Sequence, residues 1–203
     1  MSGITSSTAL WYASRATGVV SLVLLSAVMI MGMLVKRQVR LPGLPGFALL
    51  GLHRNLSLLS VAFVAVHVIT AVADSYVSIS LAAAVIPFIS VYQPLWLGLG
   101  AVSLDLMAAL IVTSLLRRHI GRRAWRLVHW LAYASWPVAV LHGLGSSTDL
   151  RRGPLLGLAL LCIAAVAGVL ARRVAQARAE VSRGRRVPAL MAEPRPMSPA
   201  GHR

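Results

Sequence analysis

Residues 53–67 read HRNLSLLSVAFVAVH and residues 129–142 read HWLAYASWPVAVLH, two apolar stretches each bounded by a histidine at both ends. Ionisable side chains inside apolar runs are costly in a bilayer and face a bundle interior or a functional cavity. Two such stretches predict a helical membrane bundle with imidazole chemistry at its centre.

The rest of the chain has the composition such a bundle needs. Of 203 residues, 58% are hydrophobic and 12% charged, against about 45–50% and 25% in an ordinary soluble domain, which argues against a water-soluble globule. Runs of about 18 or more apolar residues are long enough to cross a hydrocarbon core of about 30 Å. Five are present: about Ala9–Val35, Leu52–Ala73, Leu95–Leu116, Trp125–Leu144 and Pro154–Leu170. The first lacks a preceding basic region and a cleavage site, so it reads as a mature helix and not a signal peptide. Val77–Tyr92 is apolar but short and carries Pro87, and reads as a re-entrant or surface-lying piece.

The net charge of +15 raises nucleic-acid binding, but the basic residues lie between apolar runs and not beside base-stacking aromatics. They fit membrane-flanking charge, because short cytoplasmic loops are enriched in Lys and Arg. Lys36, Arg37, Arg40 and Arg54 follow the first run, and Arg117, Arg118, Arg122, Arg123 and Arg126 follow the third. The tail adds Arg172, Arg173, Arg178, Arg183, Arg185, Arg186, Arg195 and Arg203. With five helices these segments share one face, which places the N-terminus outside and the C-terminus in the cytoplasm. The expected organisation is an all-α, polytopic bundle over 1–172 and a basic, largely disordered cytoplasmic tail over 173–203. A plasma membrane, of bacterial type, is the expected location.

The second and fourth helices then run in the same direction. His53 and His129 share the cytoplasmic level, and His67 and His142 the outer one. Their separations of 14 and 13 residues correspond to about 20 Å along a helix, which suits two haems each held between imidazoles. At about 100° per residue, 14 residues return near the starting face, whereas 13 miss it by about 140°. Pro137 lies between His129 and His142, so a kink or π-bulge is expected there. Zinc, copper or nickel also bind imidazole, but no Cys or acidic residue stands at a spacing that would complete such sites. The single cysteine, Cys162, excludes intramolecular disulfides and Cys-ligated iron–sulfur clusters. A reading from another class is a non-redox membrane protein that uses the histidines for metal-ion or proton passage, or serves as a scaffold subunit.

HRNLSLLSVAFVAVH with His53 and His67, and WRLVHWLAYASWPVAVLHGLG with His129 and His142, resemble the ferric reductase-like transmembrane domain family. ASRATGVVSLVLLS and RRHIGRRAWRLVH are also similar, and the likeness covers about Trp11–Leu170. That family includes the haem domains of NADPH oxidases and ferric reductases and the haem-binding subunit of the bacterial methionine sulfoxide reductase system. The resemblance implies a haem-binding bundle, two haem b groups and electron transfer across the membrane. Oxidases of the family continue into a flavin and nicotinamide domain, while here about 30 residues follow the last helix and carry no Gly-rich phosphate loop. A separate donor is therefore expected: a flavin reductase, a free reduced flavin or a quinol, with an extracytoplasmic redox acceptor. Quinone or flavin would come with that partner.

Arg54 and Arg126 adjoin the cytoplasmic histidines and suit haem propionates, since guanidinium matches carboxylate in a bidentate fork; ordinary membrane anchoring explains them equally well. Arg15 and Asp105, inside the first and third helices, read as an ion pair, or as an Arg15–propionate contact with Asp105 handling protons. Trp130, Tyr133, Trp136 and Phe63 suit porphyrin packing or plain bundle packing. His119 and His202 read as non-ligands, and the methionines of MIMGM (29–33) as lipid or core contacts.

Overall fold

The computed structural model describes residues 2–36, 46–75, 77 and 79–191. Arg37, Arg40, Arg195, His202 and Arg203 lie outside the described residues. Every regular element described is helical: α1 (Ser2–Lys36), α2 (Gly46–Ala73), α3 (Leu81–Val85), α4 (Pro94–Leu115), α5 (Arg117–His129), α6 (Ala132–Ser146), a short 3-10 turn (Asp149–Arg151) and α7 (Gly153–Met191). The chain divides into two compact units, 1–166 and 167–203. The first contains the four paired histidines and Arg15, Arg54 and Arg126. The second is described by the part of α7 that continues to Met191.

Four helical stretches are long and apolar enough to cross a membrane: Thr8–Val35, Phe47–Ala73, Pro94–Leu115 and Gly153–Glu180. The fifth expected span, about Trp125–Leu144, is divided between α5 and α6, and neither piece alone has that length. The break falls at Trp130 and Leu131, where Leu131 N donates to Val128 O (2.8 Å), Tyr133 N to Trp130 O (3.0 Å) and Ala134 N to Leu131 O (3.0 Å). These are i→i−3 bonds, so the turn is overwound. Pro137, which lies inside α6, has no N–H to offer the Tyr133 carbonyl and crowds it, which loosens the turn before it. A 3-10 turn advances about 120° per residue instead of 100°. Three or four such residues recover about 60–80° of the 140° by which a straight helix would misalign His129 and His142. The distortion expected between these histidines is present, as a tightened turn one to two turns ahead of Pro137 and not as a π-bulge.

Val77–Tyr92 forms no span. Its helix, α3, has five residues, with Ser80 capping its start by accepting from Ala83 N at 3.2 Å. Phe88 (φ 68°) and Gln93 (φ 42°) turn the chain into α4, which opens on Pro94 in its first turn, where the missing N–H costs nothing. At α5 the bend is at Gly121 (φ 77°), a conformation glycine adopts without steric cost.

The helices of the first unit associate as two couples: α1 lies along α2 and α4 along α6, with α1 also meeting α6. Leu22, Val140, Leu150 and Ala159 form the buried cluster, joined by Trp136, Leu144 and Ile163. Lipid is as apolar as leucine, so this cluster holds by packing and interhelical hydrogen bonds instead of by escape from water. Trp136 Nε1 donates to Ser26 Oγ at 3.0 Å. Ser103 and Ser135 bond reciprocally, Ser103 Oγ to Ser135 O at 3.2 Å and Ser135 Oγ to Ser103 O at 3.3 Å, which brings α4 and α6 close. Replacing either serine by alanine should cost about 0.6 kcal/mol in unfolding experiments in detergent micelles. Ser135→Leu should cost more, by wedging the helices apart, and a Ser135→Leu protein as stable as the parent would contradict this contact.

Candidate functional site

An α-helical carbonyl at position i already accepts from N–H(i+4), and side chains at i+3 and i+4 lean back over it. Its second lone pair is open to a neighbouring helix where one of those side chains is missing. The outer histidines exploit this arrangement. His67, on α2, donates from Nδ1 to the Ser14 carbonyl of α1 at 2.7 Å, and the residue four positions on is Gly18. A Cβ there would stand 3.0 Å from His67 Cε1 and 3.1 Å from Nδ1. His142, on α6, donates from Nδ1 to the Trp96 carbonyl of α4 at 2.8 Å, and four positions on is Gly100. A Cβ there would be 2.7 Å from both Cε1 and Nδ1 of His142.

A carbonyl can only accept, so both rings carry their proton on Nδ1 and leave Nε2 as a bare lone pair. The two rings lie with centroids 6.3 Å apart and planes at 71°. Two imidazoles bound in line to one metal at about 2.0–2.1 Å, with about 1.1 Å from nitrogen to ring centre, have centroids about 6.2–6.4 Å apart. A carbonyl on Nδ1 is the usual means of fixing the tautomer and orientation of a metal-bound histidine. The arrangement therefore suits a metal centre between His67 and His142. Among the described residues no group of three or more His, Cys, Asp or Glu side chains gathers to bind a metal. Further ligands would have to come from the bound group itself.

The inner histidine of α2 shares the close glycine of the outer arrangement but not its bond, since the buried His53 Nδ1 makes no hydrogen bond among the described residues. His53 lies against Gly32, where a Cβ would be 3.3 Å from Cε1, and interacts with the Val28 backbone. Val28 and Gly32 stand 14 residues beyond Ser14 and Gly18, so α1 carries two copies of one cradle at the spacing of His53 and His67. His129 ends α5 and stacks on Trp125 with centroids 4.8 Å apart and planes at 25°. Trp125 Nε1 donates to Ser114 Oγ of α4 at 3.4 Å, and Ser114 is 14 residues beyond Gly100.

The charged residues are placed differently from the expectation. Arg15 makes an ion pair with Asp149, in the turn before α7, and its guanidinium lies 3.9 Å from the Trp11 ring centre. Asp105 is exposed on α4, so the expected Arg15–Asp105 pair is replaced by Arg15–Asp149. The ion pair adjoins Ser14, and so steadies the turn of α1 that receives His67. Arg54 and Arg126 are exposed and each lines a cavity with other arginines. His119 is exposed on α5, Met29 and Met33 are in the core, and Cys162 is buried and free.

Residues 17–140 match the family model described as ferric reductase like transmembrane component. The chain belongs to the ferric reductase-like transmembrane family. The match contains His53, His67 and His129 and stops two residues before His142. No curated protein and no solved structure matches the chain. With its four apolar helices, this ferric reductase-like chain is a multi-pass membrane protein. Transmembrane electron transfer is its general activity, as a membrane component of an oxidoreductase.

Sequence reasoning located the histidines but not Gly18, Gly32 and Gly100. The one signal was the Gly18–Gly32 separation, equal to that of His53 and His67. Long-range 1H–15N spectra of the purified protein should show His67 and His142 as Nδ1–H tautomers. Gly100→Val should break the Trp96 hydrogen bond and change the His142 spectrum while sparing His53. Nε2–H tautomers in the parent would contradict this geometry.

Proposed function

We propose that the chain is the membrane subunit of a di-haem b-type cytochrome, carrying electrons from a cytoplasmic or quinol donor to an extracytoplasmic acceptor. The observation that carries this reading is the approach of His67 and His142, each tied through Nδ1 to a backbone carbonyl, to a ring separation that one metal atom between them would give. Two imidazoles undercoordinate a bare ion, whereas a porphyrin brings four nitrogens of its own. His67 and His142 hold the outer haem and His53 and His129 the inner one. When bound, haem supplies one-electron chemistry at its iron.

This chain's residues supply ligation, orientation and burial in a medium of low dielectric. With both imidazoles of a pair engaged as ligands, a bound haem would supply outer-sphere electron transfer to an acceptor, without direct binding of the acceptor to iron. Arg54 and Arg126 pair with propionates of the inner haem. The end of α5, the overwound turn and α6 act together as a fifth crossing. Irregular backbone is tolerated at membrane depth when it is buried in protein or lines a cavity. That crossing puts Arg54 and the 117–126 arginines on the cytoplasmic side, with the N-terminus outside.

Protein expressed with haem supply should purify with a Soret band and with haem released on extraction. His67→Ala and His142→Ala should each halve the haem content and leave the inner haem. Absence of haem from the parent, or equal loss of all haem from every single substitution, would overturn the proposal.

A further inference from the structure

The arginines at the α4–α5 corner converge on cavities. One, of about 430 Å³, is lined by Arg117, Arg122, Arg123, Trp125 and Arg126. A second, of about 600 Å³, is lined by Arg54, Ser114, Leu115, Arg117 and Arg118. Arg117 belongs to both, and its guanidinium lies 4.8 Å from the ring centre of Trp125. Among the described residues no carboxylate lines either cavity. Asp149 pairs with Arg15, and Asp105 lies ten residues up α4 from Leu115, about 15 Å away. Cations gathered in this way, with no carboxylate among the described residues of the lining, hold a strong positive potential that favours an external anion.

The position of the cavities indicates which anion. The membrane-crossing stretch of α4 ends at Leu115, a wall of the second cavity, which places the basin at the boundary between hydrocarbon and water. Leu115 (78% exposed), in that wall, and Leu127 (74%), next in sequence to Arg126, present apolar surface. Arginines above exposed leucines match a molecule with a phosphate head and acyl tails, whereas a soluble phosphate would leave those leucines uncovered. We propose that the basin holds the headgroup of an anionic phospholipid. A two-phosphate headgroup of the diphosphatidylglycerol kind fits best, because two cavities meet at one shared arginine. The site needs Arg117, Arg118, Arg122 and Arg123. Arg54 and Arg126, assigned above to propionates, also line these cavities, so the test is confined to the other four arginines and its failure is distinct from failure of the haem reading.

Native mass spectrometry of the delipidated full chain in detergent tests this, with equimolar diphosphatidylglycerol, phosphatidylglycerol and phosphatidylcholine. The expected order of retention is that order. Each arginine lost should weaken anionic-lipid retention about fivefold, as Arg117→Gln alone or Arg122→Gln with Arg123→Gln. The paired control Arg172→Gln and Arg173→Gln should leave retention unchanged. Circular dichroism confirms that each variant is folded, and Arg118→Gln replaces any that is not. Retention of phosphatidylcholine equal to that of the anionic lipids, or equal loss in the control pair, would overturn the proposal. Displacement of the lipid by inorganic pyrophosphate at equal concentration would instead assign the basin to a soluble phosphate and overturn the lipid reading.

Discussion

The site depends on a hydrogen bond between an imidazole Nδ1–H and a helical carbonyl that is already engaged within its own helix. In a bilayer no water is available to hold a histidine ring in place, so the orienting group has to come from the protein. Ser14 and Trp96 provide it for His67 and His142, and Gly18 and Gly100 leave the rings room to reach it. The same bonds decide which nitrogen stays bare, and so make the pair receptive to a metal. Losing either glycine would affect ring position, tautomer and helix spacing together, because all three rest on one contact.

This contact also explains the pairing of the helices. Each histidine-bearing helix lies along a glycine-bearing one, α2 with α1 and α6 with α4. The helices of His67 and His142 are thereby braced by a neighbour, with the two rings 6.3 Å apart. The Ser103–Ser135 bonds and the Trp136–Ser26 bond reinforce the α4–α6 and α1–α6 contacts with polar groups that lipid cannot satisfy. Arg15 and Asp149 do the same beside Ser14.

The histidine-bearing stretches and the helical class were legible because apolar runs and embedded histidines are strong signals. The cradle was not, because a single glycine in a membrane helix looks the same whether it faces lipid or an imidazole. The division of the fourth run was half legible: Pro137 announced a distortion, but the lost hydrogen bond is absorbed upstream at Trp130 and Leu131, which carry no breaker residue. The partner of Arg15 was out of reach, since Asp149 lies 134 residues away and nothing local distinguishes it from Asp105. Position along a helix suggested Asp105 as the partner of Arg15, but Asp105 stands exposed on α4 while Arg15 pairs with Asp149.

In the proposed cytochrome, imidazole holds the metal from both sides. Low-temperature electron paramagnetic resonance of the oxidised, haem-loaded chain addresses this directly, because two strong axial nitrogen ligands make ferric haem low-spin. Low-spin ferric signals are expected from both haems, with no high-spin component, if this ligation holds. A high-spin signal in the intact protein, showing an iron with an open or water-filled position, would contradict it.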